Sequence, residues 1–178
     1  MSSVDIDDVF GGITEAKSML QTSYMKPGHY YMVVRKIKLD KNRKKKIFVA
    51  IEATVLHVLD GDNGQGHRVG ADVSQIIMEE WDGFLGDCKA AFSCMLQCPE
   101  DDIDLKACKL VCGADQPCEG VLVEVYARNK TTKSDKDFTV VTYKRVISDE
   151  QALEEIGAEI LERYGIELEA EDEDEDEE

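Results

Sequence analysis

Long hydrophobic runs are missing from this 178-residue chain. None approaches the roughly 18 residues that a membrane-spanning helix needs, so no membrane is expected as a partner. The opening MSSVDIDDVF lacks a cationic segment followed by an apolar one. No secretory signal is therefore read there, and the predicted compartment is the cytoplasm, that of the host cell if the protein is viral. No GxGxxG precedes a helix, and the glycine-rich stretch DGDNGQG at 60–66 does not open one, which removes a phosphate cradle. HExxH and EF-hand spacings are absent too, and His29, His57 and His67 are scattered. With no catalytic constellation, no enzyme and no cofactor are expected; a nuclease is the weaker reading.

The six cysteines contain no CxxC. Without a secretory context they read as thiols rather than as a disulfide framework. Helical spacing would put Cys94 with Cys98, and Cys108 with Cys112, each on one face. A four-thiolate zinc site is conceivable from that pattern. Small buried residues on two short helices are the plainer reading, and no metal is assigned.

What the chain has is charge, unevenly spread. The net charge is −17. Residues 167–178, ELEAEDEDEDEE, hold ten acids and no base; without them the remaining 166 residues stand at −7. Nine of the 21 Lys and Arg lie within residues 26–46, against the single acid Asp40, and six more lie within 128–145. An acidic protein has concentrated its cations in two places.

Both places are hairpins by pattern. Residues 29–39 (HYYMVVRKIKL) and 47–59 (IFVAIEATVLHVL) alternate as strands around the turn DKNRKKK. Two-residue periodicity assigns Tyr31, Val33, Ile37 and Leu39 to the core and the even positions to a face that turns cationic. Residues 67–78 read as a third strand, and 84–98 as a helix ended by Pro99. A second short helix or an irregular insertion is expected over 103–112. Residues 120–130 and 138–147 read as the second hairpin around the polar TTKSDKD. Ser148 with Gln151 opens a helix predicted to run to about Tyr164. A short helix is also read over 13–20. The divisions are an N-terminal extension (1–26), a domain (27–147), a C-terminal helix (148–165) and a disordered acidic tail (166–178).

Five strands with a helical insert between the third and fourth, and a C-terminal helix, is the element order of a mostly β OB-fold barrel. That fold binds oligonucleotides with its second and third strands and with the loops joining strands one–two and four–five. Here those loops are the basic turns. A sequence-tolerant strand binder needs cations along phosphates and aromatic faces under bases. Lys36, Lys38, Lys41, Arg43, Lys44, Lys45 and Lys46 supply the first set of cations, with Arg128, Lys130, Lys133, Lys136, Lys144 and Arg145 the second. The candidate stacking residues are Phe48, Trp81, Tyr126, Tyr143 and Tyr30, with Tyr126 best placed beside Arg128. Any single aromatic is read as core sooner than as a stacking residue, with Phe138 and Trp81 the doubtful cases. A lysine-rich turn also serves to solvate or protect a sheet edge. Two such turns at the two binding loops of one fold favour the nucleic-acid reading.

The opening P-G-H-Y-Y-M-V-V-R-K-I-K-L, the block D-F-T-V-V-T-Y-K-R-V, the helical insert between them and the acidic end together resemble bacteriophage OB-fold single-stranded DNA-binding proteins. The resemblance covers residues 27–147 and the tail. It implies a non-enzymatic protein that coats single-stranded DNA during replication and recombination. It also implies a tail that contacts replication proteins such as a polymerase or helicase. Tails of that family end in an apolar or aromatic docking residue; this one ends Glu177-Glu178. That favours ionic contacts, or competition with DNA, by Glu171, Asp172, Glu173, Asp174, Glu175, Asp176, Glu177 and Glu178. An exposed strand edge would also allow a homodimer. The alternative is an acidic interaction or regulatory protein, a nucleic-acid mimic that coats no DNA.

The two readings diverge in one measurement. Full-length protein and a form ending at Ile166 are expected to bind labelled oligo-dT, the shorter form more tightly because a tethered polyanion has been removed. Absence of binding by both at low salt leaves only the alternative.

Overall fold

The structure is a computed structural model that describes residues 23–61, 65–131, 133–135 and 137–168. The predicted helix over 13–20 and the tail residues 171–178 lie outside them. The described chain is mostly β: a six-stranded, mixed, curled sheet forming a half-barrel, with four α-helices.

Two long strands dominate, β2 (Gly28–Lys41) and β3 (Ile47–Asp60), each 14 residues. Their runs of β-branched and aromatic side chains suit a pleated, buried surface. With β1 (Ser23–Tyr24), β4 (Asp72–Met78), β5 (Leu122–Thr131) and β6 (Asp137–Val146), the order across the sheet is β1-β4-β3-β2-β5-β6. The β1–β4 pair is parallel and the other pairs are antiparallel. Five strands were expected. The sixth, β1, is two residues long, too short to leave an alternating signature. The third expected strand begins later than its pattern suggests, at Asp72.

β2 is shared by both halves of the sheet. It pairs with β3 along its length and with β5 from Gly28 to Val33. Backbone bonds between Val34 and the Gly120–Val121 pair continue the second edge. Beyond them the Gln116 carboxamide takes over. Its oxygen accepts from Ile37 N at 2.8 Å and its nitrogen donates to Ile37 O at 2.8 Å, a side chain replacing a strand.

The register between β2 and β3 slips between Val34 and Lys36. The slip switches which residues face inward, because side chains alternate strictly with position. Tyr30, Met32, Val34 and Ile37 join the inner core, whereas Tyr31 and Val33 belong to a separate outer cluster. The assignment of only the odd positions to the core is thus corrected: β2 is buried on both faces from Tyr30 to Val34. Leu39, expected in the core, is exposed near the hairpin end.

The inner core lies between the curled sheet and α1 (Phe84–Leu96). This helix presents Cys88, Ala91, Phe92 and Met95, one stripe at 3.6-residue spacing. It touches both β4 and β6, the two arms that the half-barrel leaves apart. A hydrogen bond from the Tyr143 hydroxyl of β6 to Gln75 Oε1 of β4, 2.8 Å, crosses the same gap. The helix ends at left-handed Gln97 (φ 52), before Cys98. A one-turn 3-10 helix (Glu100–Asp102) and α2 (Leu105–Val111), capped by Asp104 at Ala107 N, complete the insert.

The outer cluster is covered by the C-terminal helices. Ser148 Oγ accepts from Gln151 N at 3.3 Å and caps α3 (Asp149–Glu155). The single helix expected to Tyr164 is instead broken at Gly157, whose φ of 91 belongs to the left-handed region, and resumes as α4 (Ala158–Arg163). The break turns Ala152, Ile156 and Leu161 onto Tyr31, Val33, Leu56 and Leu122. Among the described residues no helix is long and apolar enough to cross a membrane.

Tyr30 anchors the start of β2. It is fully buried; its hydroxyl donates to Pro27 O at 2.8 Å and accepts from His67 N at 3.1 Å. The His67 ring is equally committed: its Nε2 accepts from Lys26 N at 2.9 Å, and burial, then the nearby Lys26 charge, lowers its pKa. A β-carbon on Gly28 (φ 152) would come within 2.2 Å of the Tyr30 hydroxyl. Gly28→Ala is therefore expected to cost about 1–3 kcal/mol in urea unfolding, the range for forced overpacking. Unchanged stability would mean that Tyr30 does not hold this position.

Candidate nucleic-acid interface

The two basic turns sit at opposite ends of β2. Ala127 pairs with Gly28, so the β5–β6 hairpin projects beyond the start of β2, while the other turn follows Lys41 at its end. A 14-residue strand extends on the order of 45 Å at ~3.3 Å per residue. Between these ends, α3 and α4 occupy the middle of the outer face. The turns are thus two separate platforms with helices between them, rather than two lips of one bare groove.

The first turn is held by local bonds. Lys45 N donates to Asn42 O at 2.8 Å, and Asn42 N donates to Lys46 O at 2.9 Å. The Asn42 carboxamide oxygen accepts from Lys44 N and Lys46 N at 2.9 and 3.1 Å. Lys45 takes the left-handed conformation, φ 60, which disfavours a side chain. Of the five cations from 41 to 46, only Lys46 has an acidic partner among the described residues, Glu80 at 2.5 Å. Arg43, Lys44, Lys45 and Lys41 are exposed, as is Lys36. Like charges on consecutive residues of one turn, Arg43, Lys44 and Lys45, repel one another. The turn geometry, not charge balance, holds them together.

Phe48 is half-buried on the outer face opposite Asp40, with Lys38 one pair away opposite Ala50 and Lys36 a further pair on. Lys38 is engaged with Glu52 at 2.5 Å. Trp81 follows β4 just past Glu80, the partner of Lys46, and is 50% exposed. The sole tryptophan therefore stands at the first basic turn, a neighbourhood that its distance in sequence conceals.

On the second hairpin Tyr126, Arg128 and Lys130 alternate outward along β5, opposite Thr142, Val140 and Phe138. Tyr126 is 40% and Phe138 43% exposed, so both rings share this face with cations. An extra residue in β6, Lys144, sits at the register slip; its Nζ lies 5.8 Å from the Tyr126 ring centre, within cation–π range. Lys133 is exposed in the turn, and Lys136 lies outside the described residues. Phe138 is the residue that pattern alone does not separate from core; its pairing with Lys130 puts it outside.

Two proposed stacking residues are placed differently. Tyr30 is sealed in the core. Tyr143 packs against the inner cluster with its hydroxyl on Gln75, and burial pushes its pKa far up. Neither ring face is free for a base. Arg145 is likewise committed: its Nε donates to Glu124 at 2.6 Å and its Nη1 to Gln151 Oε1 at 2.5 Å.

A groove of about 830 Å³ opens on the outer face, lined among others by Arg35, Lys38, Glu52, Thr54, Asp72 and Tyr164. Its charges are matched internally. Arg35 donates to Thr54 Oγ1 at 3.0 Å and to Tyr164 O at 2.9 Å, and Thr54 Oγ1 donates to Asp72 at 2.7 Å. Two cations facing two carboxylates do not make a phosphate track.

The six thiols are unbridged. Burial, then neighbouring thiols, raises Cys88 to about 12 and Cys118 to about 11, so both stay protonated. Among the described residues no group of three His, Cys, Asp or Glu is arranged to hold a metal.

No protein-family model matches the chain, and no curated protein matches its sequence.

Tyr31, beneath α3, provides a titration test of this architecture. Its hydroxyl donates to Glu155 at 2.5 Å; burial first, then that bond, raises its pKa from 10.0 to about 12. A raised phenol pKa favours the neutral form in the fold. The contribution to stability is complete below pH 10 and fades as pH climbs through about 12. Phenolate absorbance of Tyr31→Phe should lack one late increment near pH 12. An identical late titration curve in the variant would show that Tyr31 is not so held.

Proposed function

We propose that this chain is a non-enzymatic OB-fold protein that coats single-stranded DNA with little sequence preference, in phage replication and recombination. The observation that carries the reading is the outward face of the β5–β6 hairpin: exposed Tyr126 and Phe138 interleaved with Arg128, Lys130 and Lys144. Stacking rings among cations fit a strand whose bases are splayed and whose phosphates run alongside. A merely solvated turn needs no exposed aromatic.

Two further observations support it. The first basic turn keeps Lys41, Arg43, Lys44 and Lys45 without acidic partners among the described residues, with Trp81 near its base. A polyanion would relieve that repulsion while releasing its own counterions. The sheet order, in which the first long strand lies between the second and the fourth and α1 fills the gap between the arms, supports the OB-type reading. Leu168 packs on the outer cluster, and ten further residues, nine of them acidic, follow it in the sequence. At full extension ten residues reach roughly 35 Å, enough for an acidic tail to contend for the basic turns or to meet a basic replication protein.

Oligo-dT binding tests the assignment. Tyr126→Ala and Phe138→Ala are each expected to weaken binding by about 5- to 150-fold, from ~1–3 kcal/mol per stacked base. Arg43→Ala with Lys44→Ala should lower the steepness of the salt dependence by roughly 0.7 per lost phosphate contact. Full affinity in all of these variants removes the hairpins from the interface. No binding by the wild type at low salt removes the function itself.

A further inference from the structure

Along the outward face of β5 the environment changes every second residue. Leu122 is buried under the C-terminal helices, Glu124 lies at their rim, and Tyr126, Arg128 and Lys130 are exposed. Glu124 is the hinge between the covered and the open part. Its side chain is only 14% exposed, and both carboxylate oxygens are used. Oε1 meets His29 Nε2 at 2.7 Å, and Oε2 accepts from Arg145 Nε at 2.6 Å. These partners hold its pKa below the ordinary carboxylate value against the opposing effect of burial.

Each partner leads onward. His29 stands directly across the sheet from Tyr126, its ring centre 5.8 Å away and nearly perpendicular at 85°. Arg145 continues to Gln151 Oε1 on α3, and Gln151 donates to Glu155 Oε1 at 2.7 Å. Glu155 in turn holds the Tyr31 hydroxyl. A chain of polar contacts therefore runs from the C-terminal helices to His29, whose ring makes an edge contact with the exposed Tyr126.

Building on the proposed function, we infer that Glu124 is a positioning residue for Tyr126. Through His29 it fixes the orientation of the stacking ring, and through Arg145 it ties that ring to the docked C-terminal helices. An exposed tyrosine on a strand otherwise samples several orientations, and a ring already oriented loses less freedom when a base stacks on it.

Charge and positioning predict opposite signs. Glu124→Gln removes a negative charge beside a basic surface, so electrostatics alone would tighten binding to a polyanion. Positioning predicts that oligo-dT binding weakens about 3- to 10-fold as the ring loses its preset orientation. The decisive experiment is a double-mutant cycle: Glu124→Gln, Tyr126→Ala and the pair. The loss from Glu124→Gln should vanish in the Tyr126→Ala background. An equal loss in both backgrounds, or tighter binding by Glu124→Gln, overturns the inference. His29→Ala cuts the same chain while leaving the Arg145 pair that holds α3, and should behave alike; it serves if Glu124→Gln does not fold. In protein carrying 3-fluorotyrosine, the ¹⁹F resonance lost in Tyr126→Phe should shift in Glu124→Gln without any DNA. A resonance that stays in place overturns the inference even if the protein binds DNA, whereas a shift with no DNA binding by the wild type upholds the positioning and removes only the function.

Discussion

The double burial of β2 is the constraint on which the rest depends. From Tyr30 to Val34 this strand carries apolar side chains into two cores at once. One face closes over α1; the other must be covered by something outside the sheet, and α3 and α4 cover it. The slip before Lys36 then releases the strand from this double burial. Past it only Ile37 still points into the core, and Lys36, Lys38 and the basic turn emerge into solvent. Without the slip, a cation would replace Ile37 on the inner face, which burial of an unpaired charge forbids.

The same constraint partitions the surface. Because helices occupy the middle of the outer face, exposed cations and rings are displaced to the two ends of the strand. Matched pairs fill the space beside the helices: Lys38 with Glu52, Arg35 with Thr54 and Tyr164, Arg145 with Glu124. Apart from Lys46, which pairs with Glu80, the cations at the tips lack such partners among the described residues. Pairing near the helices and its absence at the tips distinguish cations that hold the fold from cations available to a ligand.

Much of this was readable in advance, for reasons of periodicity. The long strands, both hairpins, the α1 stripe and the Ser148 cap follow from local spacing, which requires no partner. Tyr126 as an outward residue beside Arg128 also follows from simple alternation along β5. What failed to show were features decided across strands. The parity change in β2 depends on register with β3. The inward turn of Tyr143 depends on the core that β6 faces, and the outward turn of Phe138 on its pairing with Lys130. Trp81 stands beside the first basic turn only because β4 pairs with β3 and brings Glu80 to Lys46.

By itself, then, the sequence determined the five longer strands and the segregation of charge into two turns and a tail, because each is local in the chain. Tertiary structure alone decided that the turns lie at opposite ends of one strand, that the C-terminal helices stand between them, and which aromatics are left uncovered. Those outcomes are settled by register, by the twofold burial of β2 and by the break at Gly157, where contacts between residues far apart in sequence outweigh local preference.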